Sequence, residues 1–139
     1  MAKQRGIKFE VEVPEEELLA SVDKEALTKI LSNLFANALK YARTYVYLHL
    51  SVDEKNEVFT ISMSNDGNIV PIEMRENIFK AFVQYRDGKD IVSGTGIGLA
   101  MARYLAELHQ GMLVMDRELD CNRFILSIPI SVSYTHLRA

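Results

Sequence analysis

The sequence predicts an α+β fold. Two stretches carry apolar residues at helical spacing, one over residues 23–41 and one over 99–108. Shorter stretches alternate apolar and polar residues, and turn-forming residues separate them in pairs, as in antiparallel hairpins. Between the two helices, Ser93-Gly94-Thr95-Gly96-Ile97-Gly98 places three glycines at alternate positions directly ahead of the second helix.

A chain of 139 residues is long enough for one domain with its own core. Hydrophobic residues make up 48% and charged residues 25%, the balance of an ordinary globular protein. A net charge of −3 argues against a nucleic-acid surface. The single cysteine, Cys121, excludes an internal disulfide and a cysteine-based zinc site. It reads as a packed strand residue. No apolar run approaches transmembrane length, and the first residues do not read as a signal peptide. A reducing cytoplasm is compatible with the single cysteine, and the expectation is a cytoplasmic domain, the cytoplasmic part of a bacterial membrane-bound receptor, without direct membrane contact of its own.

Ile7, Phe9, Val11 and Val13 alternate with Lys8, Glu10 and Glu12, which predicts a half-buried strand stopped at Pro14. Glu15 to Ser21 reads as a loop or acidic turn. Asp23 then caps a helix running to about Tyr41. At about 100° per residue, Leu27, Leu31, Leu34, Phe35, Ala38 and Ala42 gather on one side. Asn33, Asn37 and Lys40 fall opposite, within roughly 60° of one another, bordered by Tyr41. Asparagine is a poor helix former, so two amides one turn apart suggest a task beyond solvation. A carboxamide oxygen can ligate Mg²⁺, which takes few protein ligands alongside phosphates and water. A lysine supplies a point charge to the same phosphates.

Tyr45 to Val52 and Val58 to Asn65 form a hairpin around a turn at Asp53-Glu54-Lys55-Asn56. Phe59, Ile61 and Met63 point inward, and His49 lies on the polar phase as a surface residue. Asn65-Asp66-Gly67-Asn68 is both a good turn and a polar group at a strand end, where side chains can face a pocket. Pro71 opens a short helix over Ile72 to Phe79, and Met74, Ile78, Phe79 and Phe82 anchor the long segment that follows. The charged stretch Gln84 to Asp90 reads as a mobile loop. The helix after the glycine run ends at His109-Gln110-Gly111, with Gly111 as the left-handed cap. Met112 to Asp116 and Phe124 to Ile130 are two further strands around a turn at Glu118-Leu119-Asp120. Residues 131–139 belong to none of these patterns. The expected division is a domain over 1–130 and a non-native or disordered tail over 131–139.

The glycine run combines two properties that suit an anion. Glycine lets the backbone approach closely, and the first turn of a helix presents free N–H groups at the positive end of its dipole. Together they make a phosphate site, the alternative being a loop that only caps the helix. No Lys-Ser or Lys-Thr pair follows Gly98, so the run is not a P-loop. No buried strand precedes it, so it is not a dinucleotide fingerprint.

Four segments, in order, resemble the ATP-binding catalytic domain of sensor histidine kinases, within the gyrase–chaperone–MutL ATPase fold. Asn33-Leu34-Phe35-Ala36-Asn37-Ala38-Leu39-Lys40-Tyr41 resembles the N box. Asn65-Asp66-Gly67-Asn68-Ile69-Val70-Pro71 resembles the first glycine box. Ile78-Phe79-Lys80-Ala81-Phe82-Val83-Gln84 resembles the F box. Gly94-Thr95-Gly96-Ile97-Gly98-Leu99-Ala100 resembles the second glycine box.

The resemblance implies a two-layer α/β sandwich, a mixed and mostly antiparallel sheet packed on three helices, with ATP held among the helices beneath a lid over about Gln84 to Thr95. It implies that Asn37 binds Mg²⁺, Lys40 a phosphate and Tyr41 the base and sugar. It places Gly94, Thr95, Gly96, Gly98 and Leu99 at the phosphates, and Asn65, Asp66 and Gly67 at the base. Asn65 continues the inward strand face and is the expected acceptor for the adenine amine through its carbonyl oxygen, with Asp66 as the alternative. Asn33 stands where hydrolytic relatives carry a water-activating glutamate. An amide cannot take a proton, so the implied chemistry is transfer of the γ-phosphoryl group to a histidine by positioning and charge neutralisation.

Two departures stand out. Ile69 replaces the second glycine of the first glycine box, and its Asp-Asn order is inverted. His49, His109 and His136 each lack the acidic neighbour of the acceptor box, so the acceptor histidine is expected on a separate dimerisation domain, with a response-regulator receiver downstream. The competing readings are a nucleotide-binding module without catalysis and an anti-sigma-factor serine kinase of the same fold.

Overall fold

The computed structural model describes residues 6–15, 22–80, 83–86, 89–92, 97–117 and 120–130, the segments 83–86 and 89–92 by their backbone alone. Residues 16–21 of the expected loop, Phe82, Gly94, Thr95, Gly96, much of the 118–120 turn, His136 and the tail 131–139 lie outside these residues.

The elements run β1 (Lys8–Glu12), α1 (Lys24–Tyr41), β2 (Tyr45–Asp53), β3 (Val58–Asn65), two 3-10 turns (Ile72–Met74 and Asn77–Phe79), β4 (Val83–Arg86), β5 (Lys89–Val92), α2 (Gly98–Leu108), β6 (Met112–Met115) and β7 (Asn122–Pro129). Five strands form one sheet in the order β1-β2-β3-β7-β6. β1 runs parallel to β2, and every other pairing in this sheet is antiparallel. The sheet is mixed and mostly antiparallel, as expected.

One face of the sheet carries the core. Val46, Phe59, Ile61, Met63, Leu113, Met115, Phe124, Leu126 and Ile128 are buried there against Ile30, Leu34 and Ala38 of α1 and Ala102 and Ala106 of α2. Alanines at these helix positions let the two helices approach closely over the sheet. α1 starts as its sequence dictates: Asp23 Oδ1 accepts from the N–H groups of Glu25 (2.9 Å) and Ala26 (3.2 Å).

Four expectations are corrected. β1 exists, but its apolar face is open: Phe9, Val11 and Val13 are 43%, 54% and 54% exposed, and only Ile7, just ahead of the strand, is buried. It is an edge strand, and the helical layer meets it at its margin, where Phe35 packs edge-on to Phe9 at 4.9 Å. The expected helix over 72–79 is two 3-10 turns. Between them the Arg75 side chain folds beneath its own segment, is 4% exposed, and donates from Nε to the Val70 carbonyl (2.8 Å) and from Nη1 to the Asp116 carbonyl. Such tight anchoring favours short turns over a continuous α-helix.

The stretch expected as a mobile loop contains an antiparallel hairpin, with Val83 opposite Val92 and Arg86 opposite Lys89. Its charge obscured strand-forming Val83, Ile91 and Val92. At the end of α2 the left-handed residue is Gln110 (φ 60°), not Gly111. Gln110 N–H donates to the Glu107 carbonyl and Gly111 N–H to the Ala106 carbonyl, both at 2.9 Å, the pattern of a Schellman ending. Gly111 is required for a different reason: a Cβ there would lie 2.3 Å from the Ser127 carbonyl oxygen.

Candidate nucleotide site

α1 presents its amides next to the core, not opposite it. Its buried residues are Ala26, Ile30, Leu34 and Ala38. Counting Ala26 and Ile30 swings the buried arc toward the asparagines, so that Asn37 lies within about 20° of Ile30 and Asn33 within about 60°. Leu27, Leu31 and Phe35 are only half-buried at the far edge. The helix is covered on two sides, by the sheet beneath and by α2 alongside, and the sequence pattern shows only one of them. Asn33 and Asn37 are half-buried, and neither amide has a hydrogen-bond partner among the described residues.

The structure brings Gly98, the last glycine of the run, to this face. A Cβ on Gly98 would lie 3.2 Å from Asn33 Oδ1, so the first turn of α2 sits directly against that amide. Among the described residues no side chain caps that turn, and its first N–H groups are available to another acceptor. Leu99 is half-buried and packs into the core, so its contribution to a ligand is its backbone. Lys40 is exposed at the end of α1, with Nζ 5.3 Å from the centre of the half-buried Tyr41 ring.

The first glycine box closes against the same helix end. A Cβ on Gly67 would lie 2.2 Å from the Tyr41 carbonyl oxygen, so the turn after β3 rests on the last turn of α1. Asn65 is 2% exposed and continues the buried face of β3. Its oxygen is engaged within the protein. Asn65 Oδ1 accepts from Gly67 N–H at 2.8 Å and from Asn122 Nδ2 at 3.4 Å, as in an Asx-turn with a second donor. Asn122, buried at the start of β7, also donates from Nδ2 to the Asn68 carbonyl (2.9 Å), while its Oδ1 accepts from Val70 N–H (3.0 Å).

Asp66 points away, to the link between α1 and β2. Its Oδ1 accepts from the N–H groups of Arg43 (3.0 Å), Thr44 (3.0 Å) and Tyr45 (3.2 Å), and the Thr44 hydroxyl donates to Oδ2. Burial raises its pKa, but the hydrogen bonds from the Thr44 hydroxyl and the three backbone N–H groups outweigh that and hold the carboxyl well below the usual range. A depressed carboxylate stabilises the fold fully above its unfolded pKa, near 4, and loses that contribution as pH falls below it. Asp66→Asn is therefore expected to cost about 1–2 kcal/mol at neutral pH. Thermal melts of parent and variant should converge as the pH drops below about 4. A gap that stays constant down to about pH 2.5 would contradict this assignment.

Periodicity and motif spacing did not single out Arg103, Glu76 or Asn122. Arg103 on α2 forks onto Glu76, lies 4.0 Å from the Phe79 ring centre, and donates from Nε to the Leu113 carbonyl at 3.0 Å. It fastens the second 3-10 turn to α2 and β6. A charge interrupting the otherwise apolar Met101-Ala102-Arg103-Tyr104-Leu105 was its only signal. Asn122 has no local signal, because its partners lie more than fifty residues away in sequence. The outer side of α2 leaves Ile97, Met101, Tyr104 and Leu108 exposed, with Met112 beyond them.

The described residues contain no cluster of three His, Cys, Asp or Glu side chains able to hold a metal by themselves. No helix among them is long and apolar enough to cross a membrane.

A family model described as histidine kinase-, DNA gyrase B-, and HSP90-like ATPase matches residues 22–132. The sensor histidine kinase WalK of Bacillus subtilis is 29% identical over 119 residues, which are 84% of this chain and 20% of WalK. The sensor histidine kinase TmoS of Ectopseudomonas mendocina is 33% identical over 116 residues, 81% of this chain and 12% of TmoS. The chain thus spans a fifth or less of the length of these two relatives. Full-length ShkA in complex with AMPPNP is similar in structure with a TM-score of 0.80 and 27% identity, covering 94% of this chain and 27% of ShkA. A nucleotide-free catalytic domain of histidine kinase ThkA gives 0.75 and 25%, covering 93% of this chain and 84% of that domain. The sheet order, the amide-bearing helix and the glycine turns therefore have one source: the chain belongs to the histidine kinase-, DNA gyrase B- and HSP90-like ATPases, as an ATP-binding catalytic domain of the sensor histidine kinase type.

Proposed function

We propose that the chain binds ATP between α1, the start of α2 and the turn after β3, and donates its γ-phosphoryl group to a histidine on a separate acceptor domain. The observation that carries this reading is the contact of Gly98 with Asn33, which sets the first turn of α2 against an amide that, like Asn37 one turn on, has no hydrogen-bond partner among the described residues. An anion at that point meets both the helix dipole and free N–H groups.

The donor set fits Mg²⁺, which Asn37 would hold. Asn37 offers one unpartnered oxygen, and an ion that keeps waters and phosphate oxygens needs few protein ligands. When bound, Mg²⁺ supplies charge neutralisation on the phosphates. Lys40 adds a point charge at the exposed rim, and Tyr41 offers a ring to the base and sugar. Gly98 and Leu99 offer backbone N–H groups, and Gly94, Thr95 and Gly96 belong to the same assignment by sequence. Asn65 and Gly67 border the base, and Asp66 supports that border from behind. Asn33 cannot accept a proton from water, which favours transfer over hydrolysis. The exposed stripe from Ile97 to Met112 offers the acceptor domain an apolar surface beside the phosphate end of the site. A receiver domain of a response regulator is the onward partner in this reading, and the cytoplasmic side of a receptor its setting.

The test is a calorimetric titration of the chain with ATP, with and without Mg²⁺, followed by incubation with labelled ATP and a histidine-acceptor domain. The expected results are saturable, Mg²⁺-dependent binding, slow hydrolysis by the chain alone, and acid-labile phosphohistidine on the added domain. No saturable binding at millimolar ATP would overturn the reading, and rapid hydrolysis by the chain alone would overturn the role of Asn33.

A further inference from the structure

Asn65 is almost wholly enclosed, and chemistry determines which way its amide faces. The atom 2.8 Å from Gly67 N–H must be the oxygen, because the amide nitrogen there would set donor against donor. The same oxygen is approached by Asn122 Nδ2 at 3.4 Å, a contact that Nδ2 shares with the Gly67 carbonyl at the same distance. What remains is Nδ2. It has no hydrogen-bond partner among the described residues, and it is not sealed away from open space. Asn65 lies on the inward face of β3, where the turn after that strand meets the end of α1. A nearly buried amide N–H₂ without an acceptor is costly, and a ligand that supplies one removes the cost.

We infer that this site reads the purine by donating a hydrogen bond, and that it takes 6-oxopurine nucleoside triphosphates as readily as ATP. The inference rests on the nucleotide reading above, which sets the base against Asn65. Adenine presents an amine at carbon 6, which faces Nδ2 as donor to donor and leaves only the ring nitrogen N1 to accept. Inosine and guanine present a carbonyl oxygen at carbon 6, which accepts from Nδ2 directly. A site that offers a donor there has lost the usual reason to prefer adenine. A polar group left unmatched on one base edge is what separates two otherwise similar ligands.

The substitution Asn65→Asp isolates this one atom. One carboxylate oxygen keeps the bonds from Gly67 N–H and Asn122 Nδ2, and the other replaces Nδ2, turning the donor into an acceptor of the same shape. The experiment is calorimetric titration of the whole chain and of the Asn65→Asp variant with Mg²⁺-ATP and Mg²⁺-ITP, which differ only at this edge. The unsubstituted chain is expected to bind ITP at least as tightly as ATP. In the variant the preference should move toward ATP by about tenfold or more. A preference of the unsubstituted chain for ATP beyond about tenfold overturns the inference, and needs no variant to read. An ATP:ITP ratio that the aspartate leaves unchanged also overturns it. If neither triphosphate binds the unsubstituted chain at millimolar concentration, the nucleotide reading itself falls and this inference with it, a result distinct from any change in the ratio.

Discussion

Gly67→Ala is expected to lower stability by about 2–3 kcal/mol and to abolish ATP binding. The added Cβ would sit 2.2 Å from the Tyr41 carbonyl oxygen and 2.9 Å from Asn65 Oδ1. Neither neighbour can yield cheaply. The first is backbone in the last turn of α1, and the second is held by Gly67 N–H and Asn122. Relief requires the turn after β3 to lift off α1, which separates the two walls of the proposed base pocket. For a domain of this size the thermal midpoint should fall by roughly 7–11 °C. Gly98→Ala is the informative contrast, because its Cβ would meet Asn33 Oδ1 at 3.2 Å, the tip of a side chain that can move. It should leave the midpoint nearly unchanged, since alanine is the better helix former by up to about 1 kcal/mol. Equal midpoints for Gly67→Ala and the parent would mean that the turn does not rest on the helix.

Asn37→Ala is expected to reduce phosphoryl transfer to an added acceptor domain by about a hundredfold or more, with the fold intact. The amide is half-buried and unpartnered among the described residues, so its loss leaves no internal group unsatisfied. Alanine also has the higher helix propensity, so the thermal midpoint should hold or rise slightly. This separates a ligand-binding role from a packing role, because truncation of a packing residue would lower both stability and transfer. The same variant should bind ATP with an affinity that no longer depends on Mg²⁺. Full Mg²⁺ dependence in a folded Asn37→Ala chain would transfer the metal to another group.

Much of this was legible before any coordinates. Asp23 announced the start of α1, and Phe59, Ile61 and Met63 announced the inward face of β3. The four motifs announced the family. These are signals carried by neighbours in sequence, and strand alternation, helix caps and backbone-turn chemistry act over a few residues. Where the reading fell short, the missing information was the partner. Ile7 to Val13 alternates correctly for a half-buried strand, yet β1 lies at an edge that the helices barely reach. Ile30 and Asn37 lie close together on α1 because a second helix covers that flank, and no count along α1 alone includes α2.

The sequence by itself determined the strands of the main sheet, the two α-helices and the family. Only the tertiary structure decided what each polar atom of the proposed site has left to offer. Asn65 and Asp66 are adjacent turn formers of similar size, and strand phase tells them apart only as inward and outward. Their chemistry is set by contacts at long range: Asn122 and Gly67 N–H take the oxygen of Asn65, and the backbone from Arg43 to Tyr45 takes the carboxylate of Asp66. A hydrogen-bonding group has a fixed number of lone pairs and protons, and folding determines which of them remain for a ligand.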